Sequence, residues 1–349
     1  MANRYWVGGT ANWDGTAGTK WSLTSGGAGG ETVPADVDDV FFDANSGAGT
    51  TTIATNTANC QNLNFTGFTG TLAGSGVILN VYGNFTLSTG MTFTFSEGIV
   101  LRATTAKTVT TNGKSIPASI DFNGLAGTWT LQDALVCTNV IYLVRGTFDA
   151  NNFNVTATRF STDLTNTRVL TMGSGTWNLT TTATSNAWEI LQSSGLTINA
   201  NTSTIKISGS TTNIRTFMGG GLTYYNLWFS NATAAGQMNV TGANTFNDIQ
   251  AGVEGNAQTI RFTAATTTTV TTFTVSGAAS NLITIGSITN ASHTLTKAGG
   301  GTISRNFLSI SYSTATPAST WSTASSTDGG NNSGWTFTIA AVSNMFLMM

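Results

Sequence analysis

Charge is the scarcest property of this chain. Of 349 residues only 8% are charged, with 13 Lys and Arg against 15 Asp and Glu. No basic cluster is dense enough to track a phosphate backbone, which speaks against nucleic acid as a partner. The chain holds one His, two Cys and three Pro. Two cysteines and one histidine exclude the usual zinc-ligand patterns. Cys60 and Cys137 stand far apart in sequence. They read as two buried free thiols; their pairing cannot be deduced from spacing. No apolar run reaches the length of a membrane span. The opening segment Met1 to Trp6 lacks the apolar stretch of a secretory leader, so either the chain is not exported by the general route or it is a processed or partial form. Helical signals are also missing: no 3.6-residue apolar period with caps is sustained.

Thr, Asn, Ser and Gly fill the space, with 40 glycines. They separate short apolar strings that alternate, such as Thr92-Phe93-Thr94-Phe95, Leu196-Thr197-Ile198-Asn199 and Thr204-Ile205-Lys206-Ile207. β-Branched Thr suits a pleated surface, while Gly and Asn serve tight turns. The chain is therefore expected to be all-β. Degenerate repeats support a solenoid. Leu63 to Leu72 resembles Ile120 to Trp129, and Gly127-Thr128-Trp129-Thr130-Leu131 resembles Gly175-Thr176-Trp177-Asn178-Leu179. The interval from Phe65 to Phe122 is much longer than that from Phe229 to Phe262, which suggests coils with loops of varying length. A right-handed parallel β-helix is the expected architecture. An array of β-sandwich modules is the alternative, but the hairpin turns it needs are few: Asp14-Gly15 and Asn112-Gly113. Stacked Asn and Thr side chains are expected to bond in ladders between coils.

The ends differ from the middle. Residues 1–45 carry Trp6, Trp13, Trp21 and the acidic stretch Asp36 to Asp43, and read as a cap or attachment segment. Residues 46–320 read as the solenoid body. Residues 321–349 read as a closing strand followed by an apolar tail. An open solenoid end exposes core and strand edges, and must be covered. Trp6, Trp13 and Trp21, with Met345, Phe346, Leu347 and Met348 in the tail, are the candidate assembly residues.

The segment Asn3-Arg4-Tyr5-Trp6-Val7-Gly8-Gly9-Thr10-Ala11-Asn12-Trp13-Asp14 continues through Val33-Pro34 and Asp39-Val40-Phe41-Phe42-Asp43-Ala44-Asn45-Ser46. With Gly219 to Leu227 and Thr327 to Trp335, it resembles a family of Thr/Gly-rich β-solenoid proteins of tailed phages and environmental bacteria. The resemblance implies a β-solenoid and a structural, fibre-like or decoration-like role in a virion. Ala340 to Met349 runs past the closing motif.

Material for chemistry is thin. Glycan cleavage needs two carboxylates across the scissile bond. Asp121, Asp133, Asp149, Asp163 and Glu189 are available but unclustered in sequence. Arg145, Arg159, Arg168 and Arg215 read as isolated, solvated charges. Asp36, Asp38, Asp39 and Asp43 are the one dense acidic group and the candidate Ca2+ ligands, although the glycine and terminal Glu of an EF-hand loop are missing. The plainer expectation is that Val37, Val40 and Phe42 face inward while the acids face water, with no cofactor. His293 sits in a polar turn and is expected at the surface. Lys206 should point outward. Trp177, Trp188, Tyr224, Tyr225 and Trp228 are expected mostly in the core rather than as a sugar platform. The function these features favour is a non-enzymatic virion structural protein. It would be a homotrimer that docks on other virion proteins and touches host surface glycans. A secreted adhesin and a glycan depolymerase are the alternatives.

Overall fold

The computed structural model describes residues 2–13, 19–54, 57–74, 76–252 and 256–338. About half of the described residues (51%) are strand, and mostly parallel coils stack into a β-solenoid of about 13 turns. The chain divides into two compact units, Met1–Thr180 with Trp188–Ile205 and Thr181–Ala187 with Lys206–Met349.

In the first unit each coil has three sides. One side stacks Val40, Leu63, Phe85, Val109 and Leu131 in register, one residue from each successive coil. A second stacks Cys60, Val81, Leu101, Phe122 and Leu143. A third stacks Leu135, Val155 and Trp177. All of these side chains are buried. Alternation puts them inside: Thr176–Leu179 reads half-buried, buried, half-buried, buried. The second unit repeats the plan. Arg215, Met238, Ile260, Ile285 and Ile310 form one column. Leu227, Ile249 and Phe273 form another, and Ile303, Trp321 and Trp335 stack near its end.

Parallel neighbours need a whole coil between them, which hairpin-built sandwiches do not supply. The sandwich alternative is therefore set aside. Asn112-Gly113 is a corner and not a hairpin: it joins Ala106–Thr110 to Ser115–Ile116, which lie in different sheets. Asp14-Gly15 lies outside the described residues. Neither of the two phenylalanine intervals is a coil period. Phe122 stacks on Leu101, whereas Phe65 follows the strand Leu63–Asn64; Phe229 stacks on Ala251, and Phe262 on Val240. Similar strand motifs recur on different sides of the coil, so their likeness tracks strand chemistry rather than position.

The polar ladders form as expected. Asp39 Oδ1 accepts from Asn62 N and Nδ2 at 3.2 and 2.6 Å. Asn62 Oδ1 accepts from Asn84 N at 2.6 Å, and Asn84 Oδ1 from Thr108 N at 3.0 Å. After the first rung, the ladder ties each coil to the next with neutral groups alone.

Candidate functional site

The sequence-derived candidates are mostly consumed by the fold. Trp6, Trp13 and Trp21 are each 1% exposed. Trp21 meets Trp6 and Trp13 edge-on at 5.0 and 5.1 Å, over Phe42, which stacks on Phe65 at 4.7 Å. They form the interior of the end cap and offer no surface to a partner. These three candidate assembly residues are thus buried in the single chain. Met345, Phe346, Leu347 and Met348 lie outside the described residues.

The acidic stretch serves the backbone. Asp38 is buried, not solvated; it accepts from Ala2 N and Ala35 N at 3.0 and 3.2 Å, with Arg4 3.9 Å away. Asp39 starts the ladder described above. Asp43 caps the 3-10 turn Ala44–Ser46 by accepting from Asn45 N at 2.9 Å. Val40 and Phe42 face inward, but Val37 is 52% exposed. Among the described residues no three His, Cys, Asp or Glu side chains gather to hold a metal.

Three further expectations are overturned by burial. His293 is fully buried at the start of the strand His293–Lys297, where alternation turns it inward. Its Nδ1 lies 2.9 Å from Ser287 Oγ, its ring 4.9 Å from that of Phe262, and its Nε2 has no partner. Burial pushes its pKa down to about 4. Arg168 and Arg215 are also fully buried. Arg168 donates Nε to Asn166 O at 2.9 Å, Nη1 to Thr162 Oγ1, and Nη2 to Gln192 O and Ser194 O at 2.9 and 2.6 Å. Arg159 pairs with Glu189 at 3.1 Å rather than standing alone.

Other expectations are met. Cys60 and Cys137 are free and buried; burial pushes both thiols up, Cys137 to about 12. Lys206 is half-buried with its ammonium 4.2 Å from the centre of the Trp228 ring. Trp177, Trp188 and Tyr224 are in the core, while Tyr225 and Trp228 are half-buried. Ile205 and Ile207 are buried.

Two of the carboxylates considered for catalysis hold backbone groups. Asp133 accepts from Thr111 N and Oγ1 at 2.8 and 3.1 Å, and Asp149 from Asn151 N at 2.8 Å. Asp163 is exposed, in the loop before Arg168. Burial raises Asp121 to about 6, with Arg102 pulling it partly back. Its in-register neighbours are Val100 and Tyr142, not a second carboxylate.

One concave feature was not foreseen. A cleft of about 570 Å³ in the first unit is lined by Leu125, Ala126, Arg145, Gly146, Thr147 and the segment around Thr165 to Val169. It exists because the strand Ile120–Leu131 loses register with Val140–Asp149 between Phe122 and Thr128. Such a bulge bends the strand and re-aims its side chains. Leu125 is thrown outward, 67% exposed, and Ala126 adopts φ 60°. Gly146 makes the approach possible: a Cβ there would fall 2.2 Å from Gly124 O. Arg145 is half-buried in the cleft, and among the described residues it has no ion-pair partner. Its Nε is buried without a hydrogen-bond partner, as is Oδ1 of Asn123, the residue paired with it on the adjacent coil. The repeat likeness around Asn123-Gly124 marked this stretch; the missed signal was Gly124 and Gly127, close together inside a strand pattern.

No protein-family model matches the chain, and no curated protein or solved structure does. What fold and site define is a parallel-coil β-solenoid with a lateral cleft at a bulged strand. No helix among the described residues is long and apolar enough to cross a membrane.

Proposed function

We propose that the chain is a non-enzymatic structural protein of a bacteriophage virion, a fibre, spike or capsid-decoration subunit. It assembles as a homotrimer, docks on other virion proteins and touches host surface glycans. It needs no cofactor and binds no nucleic acid. The observation that carries this reading is how the polar groups are used. Asp39, Asn62 and Asn84 bond coil to coil, and Asp38, Asp43, Asp133 and Arg168 hold backbone groups. A chain that commits its few charges to holding its own coils suits a stiff carrier better than a catalyst, which keeps carboxylates free and paired. The sequence resemblance to phage β-solenoids points the same way.

The test is location. Particles purified from a lysate are labelled with an antibody raised against the intact chain and viewed by electron microscopy, and the purified protein is weighed by light scattering. Label on particles and a threefold mass support the proposal. Label confined to cell envelopes overturns it in favour of an adhesin. Shortening of a capsular polysaccharide by the pure protein overturns the non-enzymatic part.

A further inference from the structure

We infer that the cleft at Arg145 binds a carboxylate-bearing saccharide, with Arg145 holding the carboxylate. This deepens the glycan-contact part of the function proposed above and takes its choice of ligand from it.

The cleft is built into the fold. Its wall is the bulge at Leu125 and Ala126, held by close backbone contact through glycine. Added Cβ atoms at Gly124 and Gly127 would fall 2.0 and 1.9 Å from Ala103 O, so no side chain fits in that contact. Its opposite rim, the segment before Arg168, is tied in two places. Asn166 donates Nδ2 to Val144 O at 3.1 Å, beside Arg145. Arg168, fully buried behind the rim, holds Asn166 O and also the carbonyls of Gln192 and Ser194. A rim held this way loses little freedom when a ligand enters. The volume, about 570 Å³, falls within the usual span of small-ligand sites, roughly 300–1,000 Å³.

The lining selects the ligand. Arg145 is the one charged residue in it, so the complement is an anion. A guanidinium is a planar fork that matches a carboxylate in two parallel hydrogen bonds. Arg145 Nε and Asn123 Oδ1 are a donor and an acceptor in register, both buried and both unpaired in the protein. A buried polar group left without a partner is costly, which leaves the Arg145 guanidinium open to a ligand carboxylate. Thr147, Thr165 and Thr167 add hydroxyls, and Leu125 and Val169 add apolar surface for the C–H face of a sugar. Carboxylate, several hydroxyls and a C–H face occur together in an acidic sugar. A bare phosphate would use only the arginine.

The experiment is a calorimetric titration of the full-length protein with digalacturonate, with its neutral methyl ester and with inorganic phosphate. Digalacturonate is expected to bind, the ester at least about tenfold more weakly, since charge-assisted hydrogen bonds are lost. Arg145→Met should weaken digalacturonate about tenfold or more. Leu125→Glu, at an exposed position that does not burden the fold, should abolish binding by setting a negative charge at the mouth. Absence of digalacturonate binding, or binding by Arg145→Met or Leu125→Glu as tight as by the unaltered protein, overturns the inference. Phosphate binding tighter than digalacturonate also overturns it, leaving a plain anion site. None of these outcomes depends on where the protein is found, so the virion proposal stands or falls separately.

Discussion

Arg215 and Met238 face each other in register on adjacent coils, and both side chains are fully buried. The same column continues with Ile260, Ile285 and Ile310, so Arg215 occupies an apolar position. Its Nη1 reaches Gly209 O and its guanidinium lies 5.1 Å from the centre of the Phe229 ring. Nε and Nη2 have no partner, and burial lowers its pKa to about 10. Arg168 is equally buried, but its donors are used by Asn166, Thr162, Gln192 and Ser194. Replacing a poorly compensated buried charge by an apolar side chain of similar size stabilises by about 1–4 kcal/mol, whereas breaking a satisfied network costs about 3–5 kcal/mol. Arg215→Met should therefore raise the melting temperature and Arg168→Met should lower it. Thermal unfolding of the two variants checks this; a fall of similar size in both would show that Arg215 is as well compensated as Arg168.

His293 predicts an acid-sensitive stability. Its folded pKa, about 4, lies below the ordinary 6.5, so the unfolded chain binds the proton more readily. Stability from this site is complete above the unfolded pKa. It is lost as pH falls from about 6.5 to about 4, and levels off below. The full loss is roughly 3 kcal/mol. Asp121 works in the opposite sense: raised to about 6 from 3.8, it favours the folded state as pH falls through that window. The His293 contribution is isolated by comparison with His293→Leu, which cannot titrate. Melting temperatures measured from neutral pH down to the folded pKa should fall more steeply in the wild type. Parallel curves would mean that His293 is not the group that senses acid.

Much of the fold was legible because alternation and composition speak directly to strands. Thr204–Ile207 turns Ile205 and Ile207 inward and Lys206 outward, as its pattern requires. The coil length was not legible, because Phe65 and Phe122 carry alike motifs on unlike sides of the coil. Buried polar residues were the other blind spot. His293 follows a polar turn, and only Phe262 on the neighbouring coil, with Ser287 at the end of the preceding strand, makes its burial tolerable. The cleft was hidden for a related reason: a bulge is a mismatch between two strands, Ile120–Leu131 and Val140–Asp149, and neither strand shows it alone.

Two glycines of similar backbone conformation should respond differently to alanine. Gly146 has φ 79°, and an added Cβ would meet Gly124 O at 2.2 Å and Gly127 O at 2.7 Å. Gly301 has φ 84°, with nothing within 4 Å of the added atom. The left-handed conformation alone costs a non-glycine residue roughly 1–2 kcal/mol. Gly301→Ala should lose about that much. Gly146→Ala adds a clash with backbone that cannot move without parting the coils, and should lose more than about 3 kcal/mol. Denaturant titration of the two variants gives the comparison. Equal losses would show that the bulge can open to admit a methyl group, and that the cleft wall is softer than its packing implies.

The tryptophan cap should behave as core and not as a docking surface. Trp21 is 1% exposed and touches Trp6, Trp13 and Phe42, the last at 6.0 Å between ring centres. Its neighbour in the fold is the first full coil, because Phe42 stacks on Phe65. A cap of this kind covers apolar surface that a terminal coil would otherwise expose to water. Removing the indole should leave a cavity that the rigid rings around it cannot close, at a cost of about 3–5 kcal/mol. A docking residue would behave otherwise: Trp21→Ala would leave the melting temperature unchanged and lower only the mass measured by light scattering. Unfolding and mass recorded on the same variant separate the two roles. A large drop in melting temperature with the mass unchanged below the transition is the expected result. It would place the assembly contacts elsewhere than in the three tryptophans.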